Sequence, residues 1–181
     1  MKQMKFMAVA IAAVLFAGML VKPASAEMVY GVLDMNKVLQ TADAAKSLFA
    51  DLEAKRKEFQ TNIAKEETAL RATEQEIIKS KEKLSKEDFE KKRKEFEAKV
   101  TAAQKNVQDK KQSLDKAFAD AMGKLRMEIL KAAADVAKAK NYNAVFNQEA
   151  MVLADQKMDI TKEVIEGVNK NVKKIDVDWK K

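Results

Sequence analysis

The hexapeptide Leu84-Ser85-Lys86-Glu87-Asp88-Phe89 interrupts a helix-forming run that extends from about Ala44 to Ala139 and holds no proline and one glycine, Gly123. Ser85 is placed to accept a hydrogen bond from the backbone N–H of Asp88, while Glu87 and Asp88 put negative charge at the positive end of the helix that follows. Leu84 and Phe89 take the two positions of a hydrophobic staple, one before the cap and one four residues after it. The run is therefore expected to fold as a hairpin over residues 44–139 with its tip near residues 80–86. The alternative is one uninterrupted helix that carries Ser85 on its surface. At a rise of 1.5 Å per residue the two arms would be roughly 60 and 80 Å long, against about 30 Å for the diameter of a small domain. Most of that length must project from any compact body.

Apolar spacing shows how such arms pair. Leu52 and Phe59 are seven apart, and Ile63, Leu70, Ile77 and Leu84 form a second seven-residue series offset by four, as a heptad seam requires. Glu66, Thr73 and Ser80 stand where the first series should continue, so the outgoing arm has one good apolar row rather than two. On the return arm Phe89, Phe96 and Ala103 alternate with Arg93, Val100, Val107 and Leu114. The steps from Leu114 through Phe118 to Met122 are four and four, which breaks the strict heptad there. A half-filled seam can zip the arms together and leave them easy to open locally. Packing alone accounts for these apolar residues; the bulk of Phe59, Phe89 and Phe96 exceeds what a slim two-helix contact needs.

The flanking segments differ in character. Met28-Val29-Tyr30-Gly31-Val32-Leu33 is a β-type run, and Asp34 after it is placed to cap a short helix through Val38 and Leu39. Tyr142–Asn147 and Ala150–Ala154 are a second and a third such run. Thr161 is expected to cap a final helix through about Asn171, with Ile160 and Ile165 as its staple pair. The tail after Lys173, with Trp179, carries no signal. Three strands that look apolar on both faces have little in the chain to cover them, and a small sheet leaves edges open to further pairing. A homo-oligomer follows, its β-containing body built from residues 27–43 and 140–181, with the hairpins protruding. The fold class is mostly α with a small β body.

Lys2 and Lys5 precede an apolar stretch from Phe6 to Val21, and Ala24-Ser25-Ala26 supplies the small residues of an export cleavage site. Residues 1–26 are therefore expected to be a signal peptide removed after Ala26, and the stretch is short for a membrane span; retention as an uncleaved anchor is the alternative. Taking Lys2, Lys5 and Lys22 from the 35 basic residues leaves 32 against 28 acidic ones. Between Lys79 and Lys94 there are eight basic and four acidic side chains, so this stretch equals the whole excess of four. The hairpin tip is the basic end of the molecule, either as a binding feature or simply as a solvated tip.

The chain has no His and no Cys. The usual general base, the thiol nucleophile, most zinc sites and disulfides are thereby removed, so neither catalysis nor a bound metal is expected. Gly18, Gly31, Gly123 and Gly167 are isolated, so no phosphate-cradling loop exists and no nucleotide cofactor is expected. Nucleic-acid binding is suggested by charge alone; an exported protein argues against it.

The export signal, the opening strand Val29-Tyr30-Gly31-Val32-Leu33-Asp34, the Lys/Glu/Ala-rich hairpin, the return strand Tyr142-Asn143-Ala144-Val145-Phe146 and Asp159-Ile160-Thr161 before an amphipathic helix together resemble the Skp (OmpH) family of periplasmic chaperones. The resemblance spans the chain after residue 26 and rests on the order of elements and the two β segments. It implies a trimer with a β-rich body and helical tentacles around a cavity, which holds unfolded outer-membrane proteins in the periplasm without ATP. On that basis client contact is expected at Phe59, Ile63, Leu70, Phe96 and Val100, with Lys81, Lys83, Lys86, Lys91 and Lys92 drawing in acidic clients or anionic lipid surfaces. Assembly is expected at Tyr30, Val32, Leu33, Val145, Phe146, Val152 and Leu153. The competing class is an adaptor coiled coil that binds one folded partner.

Overall fold

The computed structural model describes residues 28–179; the expected leader, residues 1–26, lies outside them. In chain order the elements are β1 (Tyr30–Leu33), α1 (Met35–Thr41), α2 (Asp43–Ser80), α3 (Lys86–Ala139), β2 (Ala144–Asn147) and α4 (Thr161–Asn171), with 3-10 turns at Gln148–Ala150 and Gln156–Met158. The molecule is mostly helical, with one small parallel sheet and two long helices.

The two arms join where the capping chemistry places the break. Ser85 has extended backbone, its Oγ accepts from the Asp88 N–H at 3.1 Å, and its hydroxyl donates to Asp88 Oδ2 at 2.6 Å. The staple residues Leu84 and Phe89 are both half-buried. With 38 residues in α2 and 54 in α3, the helices are roughly 57 and 81 Å long.

The far end of α3 is closed by a left-handed cap. Asn141 has φ 57°, the Tyr142 N–H donates to Ala137 O at 2.8 Å, and the Asn141 N–H donates to Lys138 O at 3.2 Å. This is the Schellman pair of bonds, here with Asn in place of the usual Gly. The reversal delivers the chain to β2, which pairs in parallel with β1 from Tyr30↔Ala144 to Leu33↔Asn147. On its other side β1 meets Asp159 in an isolated bridge, and the Ile160 N–H donates to Val32 O at 2.9 Å. β1 is therefore central, and Gly31 must stay bare, because a Cβ there would stand 2.9 Å from the Tyr142 ring.

The core lies where α1, α4 and the roots of the arms converge. Val38, Leu48, Leu125, Ile129, Ile160, Val164 and Val168 are fully enclosed. Alanines at 42, 44, 45, 121, 132 and 133 join the same cluster and let helix backbones approach closely. Asp34 caps α1 by accepting from the Lys37 N–H at 2.9 Å.

Several expectations need correction. Ala150–Ala154 is not a strand: both sides of β1 are already taken, and a 3-10 turn carries the chain away from β2. Thr161 does not cap its helix; it is the first helical residue, and its buried Oγ1 accepts from the Asp34 N–H at 2.9 Å, while Asp159 Oδ1 accepts the Thr161 N–H. Arg93 does not enter the seam but lies exposed between Glu90 and Glu97. Val32 and Leu33 are buried inside the single chain rather than on an open sheet face; α3 packs against both strands, and Leu33 joins the core cluster. The tail, finally, is ordered against the arm roots.

Candidate functional site

Beyond Leu52 on α2 and before Ala117 on α3 no side chain is fully buried. Phe59, Ile63, Leu70 and Ile77 on the outgoing arm, and Phe96, Val100, Val107 and Leu114 on the return arm, are half-buried in register. Phe59 and Leu114 line one cleft between the arms, and Ile77 and Phe96 a second, smaller one nearer the tip. The five apolar residues expected at a binding surface thus sit on the seam, each with part of its side chain open to solvent.

The polar gaps in the seam are tolerated because their hydroxyls are satisfied locally. Thr73 donates to Ala69 O at 2.9 Å and Ser80 to Ile77 O at 2.8 Å, so neither asks for a partner on the facing arm. Such bonds to the preceding turn loosen a helix slightly and add nothing across the seam. The arms are consequently joined by weak, separable contacts, and a hairpin of this kind opens locally at small cost.

At the tip Lys81, Lys83, Lys86, Lys91 and Lys92 are all exposed. None forms an ion pair among the described residues; the pairs nearest the tip, from Arg93 to Glu90 and Glu97, are both 3.5 Å. These lysines project as unneutralised charge at the end farthest from the core.

The body has its own apolar surface. Leu33, Met35, Leu130, Ala133, Val145 and Phe146 line a groove of about 400 Å³ beside β2. Phe146 packs edge-on against Tyr30, with ring centroids 5.5 Å apart, and is still 42% exposed. A few residues on, Val152 and Leu153 stand out into solvent at 106% and 88% exposure. Of the seven residues expected at an assembly joint, Val32 and Leu33 are internal, Tyr30 and Val145 are half-buried, and Phe146, Val152 and Leu153 are outward-facing. Sequence reasoning missed Leu130 and Met127, apolar residues of α3 that are exposed, the first of them lining the groove beside β2.

Where α3 meets the start of α4, Lys140 Nζ and Glu163 Oε1 are 2.7 Å apart. The hydrogen bond from Lys140 holds the Glu163 carboxyl below its ordinary value and raises the lysine. Among the described residues no cluster of acidic side chains is arranged to hold a metal ion, and no helix is long and apolar enough to cross a membrane.

The profile of the family described as "Outer membrane protein (OmpH-like)" matches residues 29–168. Among solved structures, a protein of Caulobacter crescentus described as an OmpH-like outer membrane chaperone is similar at 19% sequence identity and a TM-score of 0.78, over 82% of this chain and 88% of that one. At that identity the likeness is one of fold. No curated protein sequence matches the chain.

Proposed function

The chain belongs to the OmpH-like family, and on that footing we propose that it is an ATP-independent holdase chaperone of the periplasm, which keeps unfolded outer-membrane proteins soluble before insertion. The observation that carries this reading is the arm pair: about 60 residues of two facing helices with half-buried apolar rows and no closed core. An unfolded barrel chain exposes alternating apolar residues and unpaired strand backbone. Many weak contacts to several such arms sum to firm retention while each stays labile. Release then needs no nucleotide, only a better-paired destination.

A single hairpin encloses nothing, so the proposal includes self-association, with three copies as the family resemblance implies. The outward-facing Phe146, Val152 and Leu153 support a joint through the body, since a chain that keeps such residues exposed risks non-specific aggregation. The free lysines at the tips support electrostatic capture of acidic clients and contact with anionic lipid surfaces. Capture by this route weakens with added salt.

Light scattering tests the proposal. A urea-unfolded outer-membrane barrel diluted into the purified protein without nucleotide is expected to stay soluble in a discrete complex. Aggregation of the barrel beside an inert protein would instead favour an adaptor coiled coil that recognises a folded partner.

A further inference from the structure

After α4 the chain runs back along the roots of the arms. Lys173 Nζ lies 3.2 Å from Asp43 Oδ2, Lys174 Nζ lies 2.9 Å from Asp51 Oδ2, and Lys124 Nζ donates to the Asp176 carbonyl at 3.0 Å. Ile175 is buried, Val177 and Trp179 are half-buried, and Asp176 and Asp178 between them are exposed. The segment climbs from the level of Asp43 to that of Phe59, roughly 24 Å along a helix. Six extended residues reach roughly 20 Å, so the tail lies stretched out.

Its end forms one wall of the large cleft between the arms, whose lining brings Asp176, Val177, Asp178 and Trp179 together with Lys55, Phe59, Lys110 and Leu114. Glu58 lines it too, and its carboxyl is held below the ordinary value by the hydrogen bond from Lys55 and by the nearby charge of Lys110. The cleft thus combines the apolar Phe59 and Leu114 with the cations of Lys55 and Lys110. The strand in it alternates apolar and acidic residues with a period of two.

We propose that this cleft is a binding site for extended peptide segments that alternate apolar and acidic residues, and that the chain's own tail is its resident occupant. The tail shows the ligand chemistry: along the wall of the cleft Val177 and Trp179 are half-buried while Asp176 and Asp178 stay exposed. Barrel strands carry the same alternation, so a client strand of this pattern displaces the tail and takes its place; that last step rests on the chaperone reading. A tethered occupant competes at an effective concentration in the millimolar range. Only segments that bind well, or are themselves held near by the arms, gain entry.

The test uses a fluorescein-labelled peptide copying residues 172–181 and a scrambled peptide of equal composition. The peptide is expected to bind the full-length Val177→Asp/Trp179→Ala variant at least ten-fold more tightly than the unaltered protein, and the scrambled peptide to bind neither. Equal affinity for both proteins, or equal binding of the two peptides, overturns the proposal. Should the double variant lose its helical circular dichroism, Asp176→Lys/Asp178→Lys, which alters only exposed tail residues and leaves Lys55 and Lys110 in place, is expected to loosen the tail and raise the peptide's affinity in the same way. Trp179 is the single tryptophan, so its emission reports tail position in the unaltered protein. Blue-shifted emission that moves to the red when unfolded barrel is bound supports the exchange, and emission that stays unchanged while barrel is held soluble contradicts it. If the barrel simply aggregates, the chaperone reading fails, while the peptide measurements still decide the cleft.

Discussion

Asn141 shows how one residue positions a strand. Its left-handed backbone closes α3 and turns the chain into β2 within three residues. A β-branched residue there meets the left-handed penalty of about 1–2 kcal/mol, so Asn141→Val is expected to lower the stability by that amount in urea unfolding, whereas Asn141→Gly is expected to be neutral or slightly stabilising. Thr161 works across a larger gap, because its hydroxyl is the acceptor for the N–H of Asp34, 127 residues away. Thr161→Val keeps the shape and strands that donor, and is expected to cost about 1–3 kcal/mol; a loss under 0.5 kcal/mol would mean that the bond is dispensable. Local chemistry was legible at Ser85 and Asp34, where cap and partner lie within three residues. At Thr161 the same side-chain type failed as a guide, since its partner is distant in sequence and its own N–H is accepted by Asp159.

Among the elements, the hairpin was the most legible, because caps, staple and heptad spacing all point to the same break. Ser85→Ala removes the side-chain acceptor for the Asp88 N–H, and is expected to cost about 0.5–2 kcal/mol. The loss should appear as faster amide exchange in the first turn of α3, with the body unaffected; unchanged exchange would show that the tip turn holds itself. The third expected strand was an error of context. Ala150–Ala154 has β-type composition, but the 3-10 turn at Gln148–Ala150 takes it off the outer edge of β2, and composition does not report that turn. The tail was missed for the opposite reason. Ile175, Val177 and Trp179 alternate with Asp176 and Asp178, a clear period of two, yet the run is short, ends the chain and makes no strand pair. Its order comes from the arm roots, which local sequence does not reveal.

For the whole molecule, the distribution of burial is the informative feature: a tight alanine-lined core at the roots, and long arms without a buried residue. The strand runs suggested that a single chain could not cover its sheet, yet Val32 and Leu33 are buried within it. What is left uncovered is the groove beside β2 and the projecting pair Val152 and Leu153. If those surfaces join copies of the chain, Leu153→Asp is expected to dissociate the oligomer in sedimentation while leaving the helical content intact, because the side chain touches little within its own protomer. An unchanged oligomer would place the joint elsewhere. The lysine-rich tips, by contrast, should be replaceable without effect on assembly. In the proposed function the loose arms, not the body, hold unfolded chains. Hydrogen–deuterium exchange with and without bound barrel tests it most directly. Protection gained over residues 53–116, with the core around Leu48, Leu125 and Val164 unchanged, is the predicted result; a barrel held in solution with no added protection on either arm would contradict the account.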